Sequence, residues 1–169
     1  MATVYLSLGS NIQRYRHLTA ALDALCDQFG ELTISPVYES EAVGFDGDHF
    51  LNLVVGIETA LPVGELSAVL KAIEDDNGRD RSCPRFSGRT LDIDILTYDQ
   101  VTGEVDGVDL PREEITENAF VLLPLADIAG DAVHPLIDRR YGDLWRDYDR
   151  NQKLWSVDFD WRGRKISKA

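Results

Sequence analysis

A chain of 169 residues with 44% hydrophobic and 28% charged side chains is long enough to bury a core without disulfides or structural metal, and its composition is that of a folded protein. Thirty acidic residues against seventeen basic ones give a formal charge of −13, which argues against nucleic-acid or anionic-membrane binding and leaves room only for a local anion site. Cys26 and Cys83 lack metal-ligand spacing, the N-terminus lacks a signal-peptide pattern, and no window approaches a membrane span, so the chain reads as a cytoplasmic protein with reduced thiols.

The first element is a strand. Val4, Leu6 and Leu8 alternate with Thr3, Tyr5 and Ser7, the period of a half-buried β-strand. Leu18, Ala21, Leu22, Leu25 and Phe29 then recur at helical spacing, with Gly30 where a C-terminal cap belongs. Two β-rich runs, LTISPVYES and FLNLVVGIET, are joined by EAVGFDGDH, a glycine- and aspartate-containing loop too long for a tight hairpin. A second helix follows Pro62, its stripe formed by Leu66, Val69, Leu70 and Ile73. LDIDILTY is a further strand, with Leu91, Ile93 and Ile95 on one face and Asp92 and Asp94 on the other. The order strand, helix, strand, strand, helix, strand predicts an α+β, ferredoxin-like antiparallel sheet with helices on one face.

Beyond it, the stretch ITENAFVLLPLADIA contains another predicted helix. There is no internal repeat and no linker, so residues 1–169 form one expected domain, with 156–169 able to stand apart as a C-terminal tail. In that tail Val157, Phe159 and Trp161 alternate before Arg162, Arg164, Lys165 and Lys168. It reads either as a frayed basic end or as a strand that carries cations toward a site.

The most informative stretch is GRDRSCPRFSGRTLDIDIL, residues 78–96. Aspartate is depleted in strands because its side chain competes with the backbone for hydrogen bonds. Two on one strand face lie about 7 Å apart and can both enter one magnesium cluster, whose other ligands are phosphate oxygens and water. A solvent-facing strand with ordinary charges is the other reading of the pair. Arg79, Arg81, Arg85 and Arg89 occupy a loop with Pro84 and Gly88, and guanidinium groups suit bidentate phosphate binding. Pairing of these arginines with Asp75, Asp76 and Asp80 is the alternative. No glycine-rich phosphate loop, nucleophile elbow, paired-histidine zinc motif or dinucleotide fingerprint is present, and His17, His49 and His134 are scattered.

YLSLGSN, SPVYESEAVG, HFLNLVVGIET, GRDR and RFSGRTLDIDIL, in this order, resemble the motifs of the 6-hydroxymethyl-7,8-dihydropterin pyrophosphokinase family over about residues 3–135. The resemblance implies the ferredoxin-like fold and transfer of the β,γ-pyrophosphate of ATP, as co-substrate, to a pterin hydroxymethyl group in folate biosynthesis. It implies two magnesium ions on Asp92 and Asp94. It implies phosphate-clamping or loop-shaping roles for Arg79, Arg81 and Arg89, and a place for Glu74 in the same catalytic neighbourhood. Asn52 would read the pterin edge, Phe50 and Phe120 would flank its ring, and Ser40, Val43 and Gly44 would lie in the loop that contacts it. Arg81, Arg89, Ile95 and Arg112 would meet the nucleotide.

The chain departs from the family pattern mainly downstream. Arg112 stands where histidine is usual and Asn118 where arginine is usual. Phe86 replaces a tryptophan, Gly88 a proline, and Gly107 and Asp109 replace basic or hydroxyl residues. A non-catalytic or altered-activity pterin-binding paralogue is therefore the second functional reading. Either reading gives small-molecule partners, pterin and ATP, and leaves the oligomeric state open with a monomer favoured.

Overall fold

The computed structural model describes residues 1–41, 49–78 and 90–169. In chain order these form β1 (Ala2–Ser10), α1 (Arg14–Phe29), β2 (Thr33–Ile34), β3 (Tyr38–Ser40), β4 (Phe50–Thr59) and α2 (Val63–Asp76). They continue with β5 (Asp92–Tyr98), β6 (Gly103–Val105), β7 (Val108–Leu110), α3 (Glu114–Glu117) and α4 (Ala119–Ala129). The last elements are α5 (Tyr141–Arg146), β8 (Leu154–Ser156), β9 (Phe159–Trp161) and β10 (Arg164–Ser167).

The main sheet runs β5-β1-β4-β3-β8, with β2 also paired to β4, and each of these pairings is antiparallel. Helix α1 stops as predicted: Gly30 takes φ 81°, and its N–H returns to the Cys26 carbonyl at 2.8 Å. The predicted strand over residues 32–40 is split into β2 and β3. Pro36 lies between them, and a proline has no N–H to give to a ladder. Ser35 bridges the break, accepting the Val54 N–H at its hydroxyl (2.9 Å) and donating its own N–H to the Val54 carbonyl (3.0 Å).

One sheet face carries Val4, Leu6, Leu8, Leu53, Val55 and Ile93, packed against the apolar stripes of α1 and α2. Fully burying a leucine such as Leu18, Leu22 or Leu25 stabilises the fold by about 1.5–3 kcal/mol, so this layer dominates the core. Helices are not confined to that face. Val54 and Leu96 point the other way, into a second layer built from Ile115, Val121, Leu122, Leu125 and Tyr141. The physical reason lies in β4, where Leu53, Val54 and Val55 are all buried, as happens in strands covered on both sides. The stretch 115–129, expected to contain a helix, holds α4 entire and most of α3 before it. They are divided at Asn118, whose extended backbone (φ −117°, ψ 123°) lets its carbonyl accept the Val121 and Leu122 N–H groups.

Residues 156–169 are docked. The β9–β10 hairpin turns through Arg162 and Gly163, both at positive φ (50° and 76°), and buries Phe159 and Trp161. Phe159 stacks on Tyr15 of α1 at 5.3 Å, and the Trp161 indole N–H donates to Asp23 at 3.0 Å. The tail does not bring its cations to the aspartate pair as one reading expected: Arg162 pairs with Asp23 (3.0 Å), and Lys165 pairs with Asp158 and Asp160. The apolar alternation of this segment, completed by the α1 surface, decides where it lies.

Candidate active site

The second sheet face positions the predicted site. Strand register places Asp92 of β5 opposite Gly9 of β1, Gly9 opposite Asn52 of β4, and Asn52 opposite Tyr38 of β3. Asp94, Ser7 and Val54 form the adjoining row. Neighbouring strands lie about 4.8 Å apart, so the Asp92 and Asn52 backbones are separated by roughly 10 Å. That distance suits a flat bicyclic ring between an amide and a carboxylate end.

Gly9 lets the two ends approach. A Cβ there would sit 3.4 Å from Asn52 Oδ1 and 3.8 Å from Phe50 Cδ1, so both side chains lean across β1 over the glycine. Asn52 is buried, and its Nδ2 donates to Ser40 Oγ at 2.8 Å and to the Tyr38 carbonyl at 3.4 Å. With the amide nitrogen so engaged, Oδ1 is the group presented above Gly9. Phe50 is half-buried on the same strand face, and half-buried Phe120, in the first turn of α4, packs against the layer that holds Val54. Two aromatic rings and one oriented amide are what a flat heteroaromatic ligand with donors on its edge requires.

At the other end, a cleft of about 520 Å³ runs along β5, the outer strand of the sheet on this side. Lys71 and Glu74 of α2, Asp92 and Asp94 of β5, and Arg112 and Glu114 stand on its walls. Ile95 also contributes to the wall although its side chain belongs to the core, as do Gly107 and Asp109. Asn118, by contrast, serves as the N-cap of α4.

Glu74 is buried at the end of α2, and its Oε2 accepts the Ile93 N–H at 2.8 Å. The bond fixes β5 at the residue between the two aspartates. Arg112 packs on Glu114, with Nη2 at 2.8 Å and Nε at 3.0 Å from Oε1, and its Nη2 reaches 3.7 Å from Asp94 Oδ2. Burial pushes the Asp94 carboxyl up to about 7; the Arg112 charge opposes this, while Asp92, Glu114 and Glu74 add to it. Burial likewise works against the Arg112 charge, but Asp94 and Glu114 hold that guanidinium above its ordinary value.

A carboxyl so crowded by other carboxylates is one for which a divalent cation is a suitable partner. Among the described residues no group of three or more His, Cys, Asp or Glu side chains converges as a closed metal cage. Two carboxylates on one strand fit an ion that takes its other ligands from phosphate and water, the usual habit of magnesium. Among the described residues, the cleft has Lys71 and Arg112 as cations against seven carboxylates, so a polyphosphate would need further positive charge to enter. Arg79, Arg81 and Arg89, and with them Val43 and Gly44, lie outside the described residues.

Gly9 was absent from the site residues expected from sequence. Its signal was a glycine inside an otherwise clean alternating strand, which marks a close approach.

A sequence model of the 7,8-dihydro-6-hydroxymethylpterin-pyrophosphokinase family matches residues 5–130. The 2-amino-4-hydroxy-6-hydroxymethyldihydropteridine pyrophosphokinase of Porphyromonas gingivalis is 39% identical over 136 residues, which cover 76% of this chain and 92% of the relative. The protein of the same name from Aquifex aeolicus is 36% identical over 139 residues, covering 80% and 86%. A crystal structure of Plasmodium falciparum HPPK-DHPS superposes with a TM-score of 0.68 over 87% of this chain and 43% of that longer one. At 16% identity that likeness speaks for the fold. The family match over most of the chain and the identity to two bacterial relatives agree with the fold just described, and the chain belongs to the 7,8-dihydro-6-hydroxymethylpterin-pyrophosphokinase family.

Proposed function

We propose that this pyrophosphokinase moves the β,γ-pyrophosphate of ATP to 6-hydroxymethyl-7,8-dihydropterin in a magnesium-dependent reaction on the face shared by Asp92, Gly9 and Asn52. The observation that carries this reading is the single cross-strand row joining a carboxylate end to an amide and aromatic end. Asn52 Oδ1 accepts from the ring's N–H edge while Ser40 and Tyr38 hold the amide, and Phe50 and Phe120 bracket the ring. Asp92 and Asp94 are the residues to hold two magnesium ions. Bound there, magnesium supplies charge neutralisation and alignment of the phosphates, the main demands of phosphoryl transfer. Glu74 keeps β5 in register behind the aspartates, and Arg112 is placed to turn from Glu114 toward a phosphate oxygen.

Arg79, Arg81 and Arg89 supply the remaining positive charge in this reading, Ile95 lines the nucleotide side, and Val43 and Gly44 contact the pterin. The reading includes a cytoplasmic location and no nucleic-acid or membrane partner. No helix among the described residues is long and apolar enough to cross a membrane.

Purified protein given ATP, magnesium and 6-hydroxymethyl-7,8-dihydropterin should release AMP in step with pterin diphosphate, and chelation of the metal should stop both. Release of ADP, or no nucleotide product, would contradict this. Pterin binding without AMP would identify the paralogue reading instead.

A further inference from the structure

The family match ends at residue 130, yet the strand that borders β3 on its outer side is β8, residues 154–156. Strand β3 has only three residues, too few to be rigid without neighbours. It has two functions on two faces. Toward the site, Ser40 and the Tyr38 carbonyl hold the Asn52 amide. Toward the α1 side, by strand alternation, stands Glu39.

Glu39 collects donors from two other places in the chain. His49 Nδ1, one residue before β4, lies 3.0 Å from Glu39 Oε2, and Arg14 Nη1, at the start of α1, lies 3.4 Å from the same oxygen. Trp155 stands directly opposite Glu39 in the β3–β8 ladder. The cluster closes on itself: Arg14 Nη1 donates to the His49 carbonyl at 3.1 Å, and the His49 ring meets Trp155 edge-on at 5.6 Å between centroids. Glu39 is also opposite Leu51, the residue before Asn52.

We propose that Trp155 is a positioning residue for Asn52, so that the C-terminal strand β8 forms the outer support of the ring-binding wall. The inference rests on the reading of Asn52 as the ring-recognising amide. Trp155 touches no ligand in this arrangement. It acts by pinning the His49 ring that holds Glu39, which keeps Ser40 and the Tyr38 carbonyl where they aim Asn52 Oδ1. Trp155 is itself 40% exposed, so truncating it removes the pin without hollowing the core.

The test uses the full chain and the variants Trp155→Ala and Trp155→Phe. Each is titrated calorimetrically with 6-hydroxymethylpterin in the presence of magnesium and saturating α,β-methylene ATP, and separately with magnesium and α,β-methylene ATP alone. Trp155→Ala should weaken pterin binding about three- to tenfold, the size expected for losing an aromatic edge contact. Its nucleotide affinity should stay within about twofold, below the size of one such contact. Trp155→Phe, which keeps the edge contact with His49, should recover part of the loss. In turnover, KM for the pterin should rise while kcat holds. Unchanged pterin affinity in Trp155→Ala would overturn the inference. An equal loss of both ligands with a lowered Tm would overturn it too, because that is the mark of general destabilisation. A wild-type protein that binds nucleotide but no pterin would instead overturn the function proposed above, and this inference with it.

Discussion

Asp94→Asn is expected to abolish magnesium-dependent turnover and, in metal-free protein at pH 8, to raise Tm. The first effect follows from removing one of two carboxylates able to hold the cation, and a loss of at least about a thousandfold in kcat is the scale for such a group. The second follows from crowding. Burial, with Asp92, Glu114 and Glu74 nearby, pushes the Asp94 carboxyl from its ordinary 3.8 to about 7 despite Arg112. Between those values the folded chain keeps a proton that the unfolded chain has released. The stability linked to that proton is therefore fully present below about pH 4 and is lost as pH rises through 7. Asparagine carries no such dependence. Its advantage should be absent at pH 4 and reach about 1–3 kcal/mol at pH 8 after discounting for solvent screening, or several degrees in Tm. Thermal melts in EDTA across that pH range, beside turnover in magnesium, measure both effects. A variant less stable than the parent at pH 8, or one with turnover within tenfold, would contradict the assignment.

Gly9→Val should cost pterin affinity at least about thirtyfold while sparing the nucleotide, the size of one to three lost contacts in a tight polar slot. A single Cβ at this position already reaches ordinary contact distance from Asn52 Oδ1, at 3.4 Å, and from Phe50 Cδ1, at 3.8 Å. The two further methyl groups of valine have no space unless both side chains move off β1, which turns the amide and unseats one ring of the bracket. Gly9→Ala should be mild by comparison, because its one added carbon only touches its neighbours. Calorimetric titration of both variants gives the contrast. Equal pterin affinity in Gly9→Val and wild type would show that the ring does not depend on the Asn52 and Phe50 arrangement.

What the sequence disclosed, and what it hid, follows from the range of the forces involved. Strand period alone was sufficient to put Asp92 and Asp94 on one face, because side-chain direction is a local property of two successive residues. Helix α1 and its glycine end were equally local. The second helical layer was signalled by the unbroken Leu53-Val54-Val55 run, yet a short apolar run does not say which element covers its extra face. The Pro36 break in the second predicted strand was visible as a proline, but only the ladder to β4 shows that Ser35 repairs it.

Least legible was the support behind Asn52. Strand β8 has three residues and no alternation long enough to read, and Glu39, His49, Arg14 and Trp155 come from four separate places in the chain. Such a cluster exists only through tertiary register. The alternating Phe159 and Trp161 gave a correct hint of burial, whereas the cations that follow them gave no hint of their partners, Asp23 among them.

The central claim is that Asp92 and Asp94 jointly hold the divalent cations that join nucleotide to pterin. Its most direct test is an anomalous diffraction map from crystals soaked with manganese, α,β-methylene ATP and 6-hydroxymethylpterin. Two anomalous peaks are expected, each about 2.1 Å from a carboxylate oxygen of Asp92 or Asp94 and also touching a phosphate, with the pterin lodged beside Asn52. A nucleotide bound with neither aspartate near an anomalous peak would contradict the account.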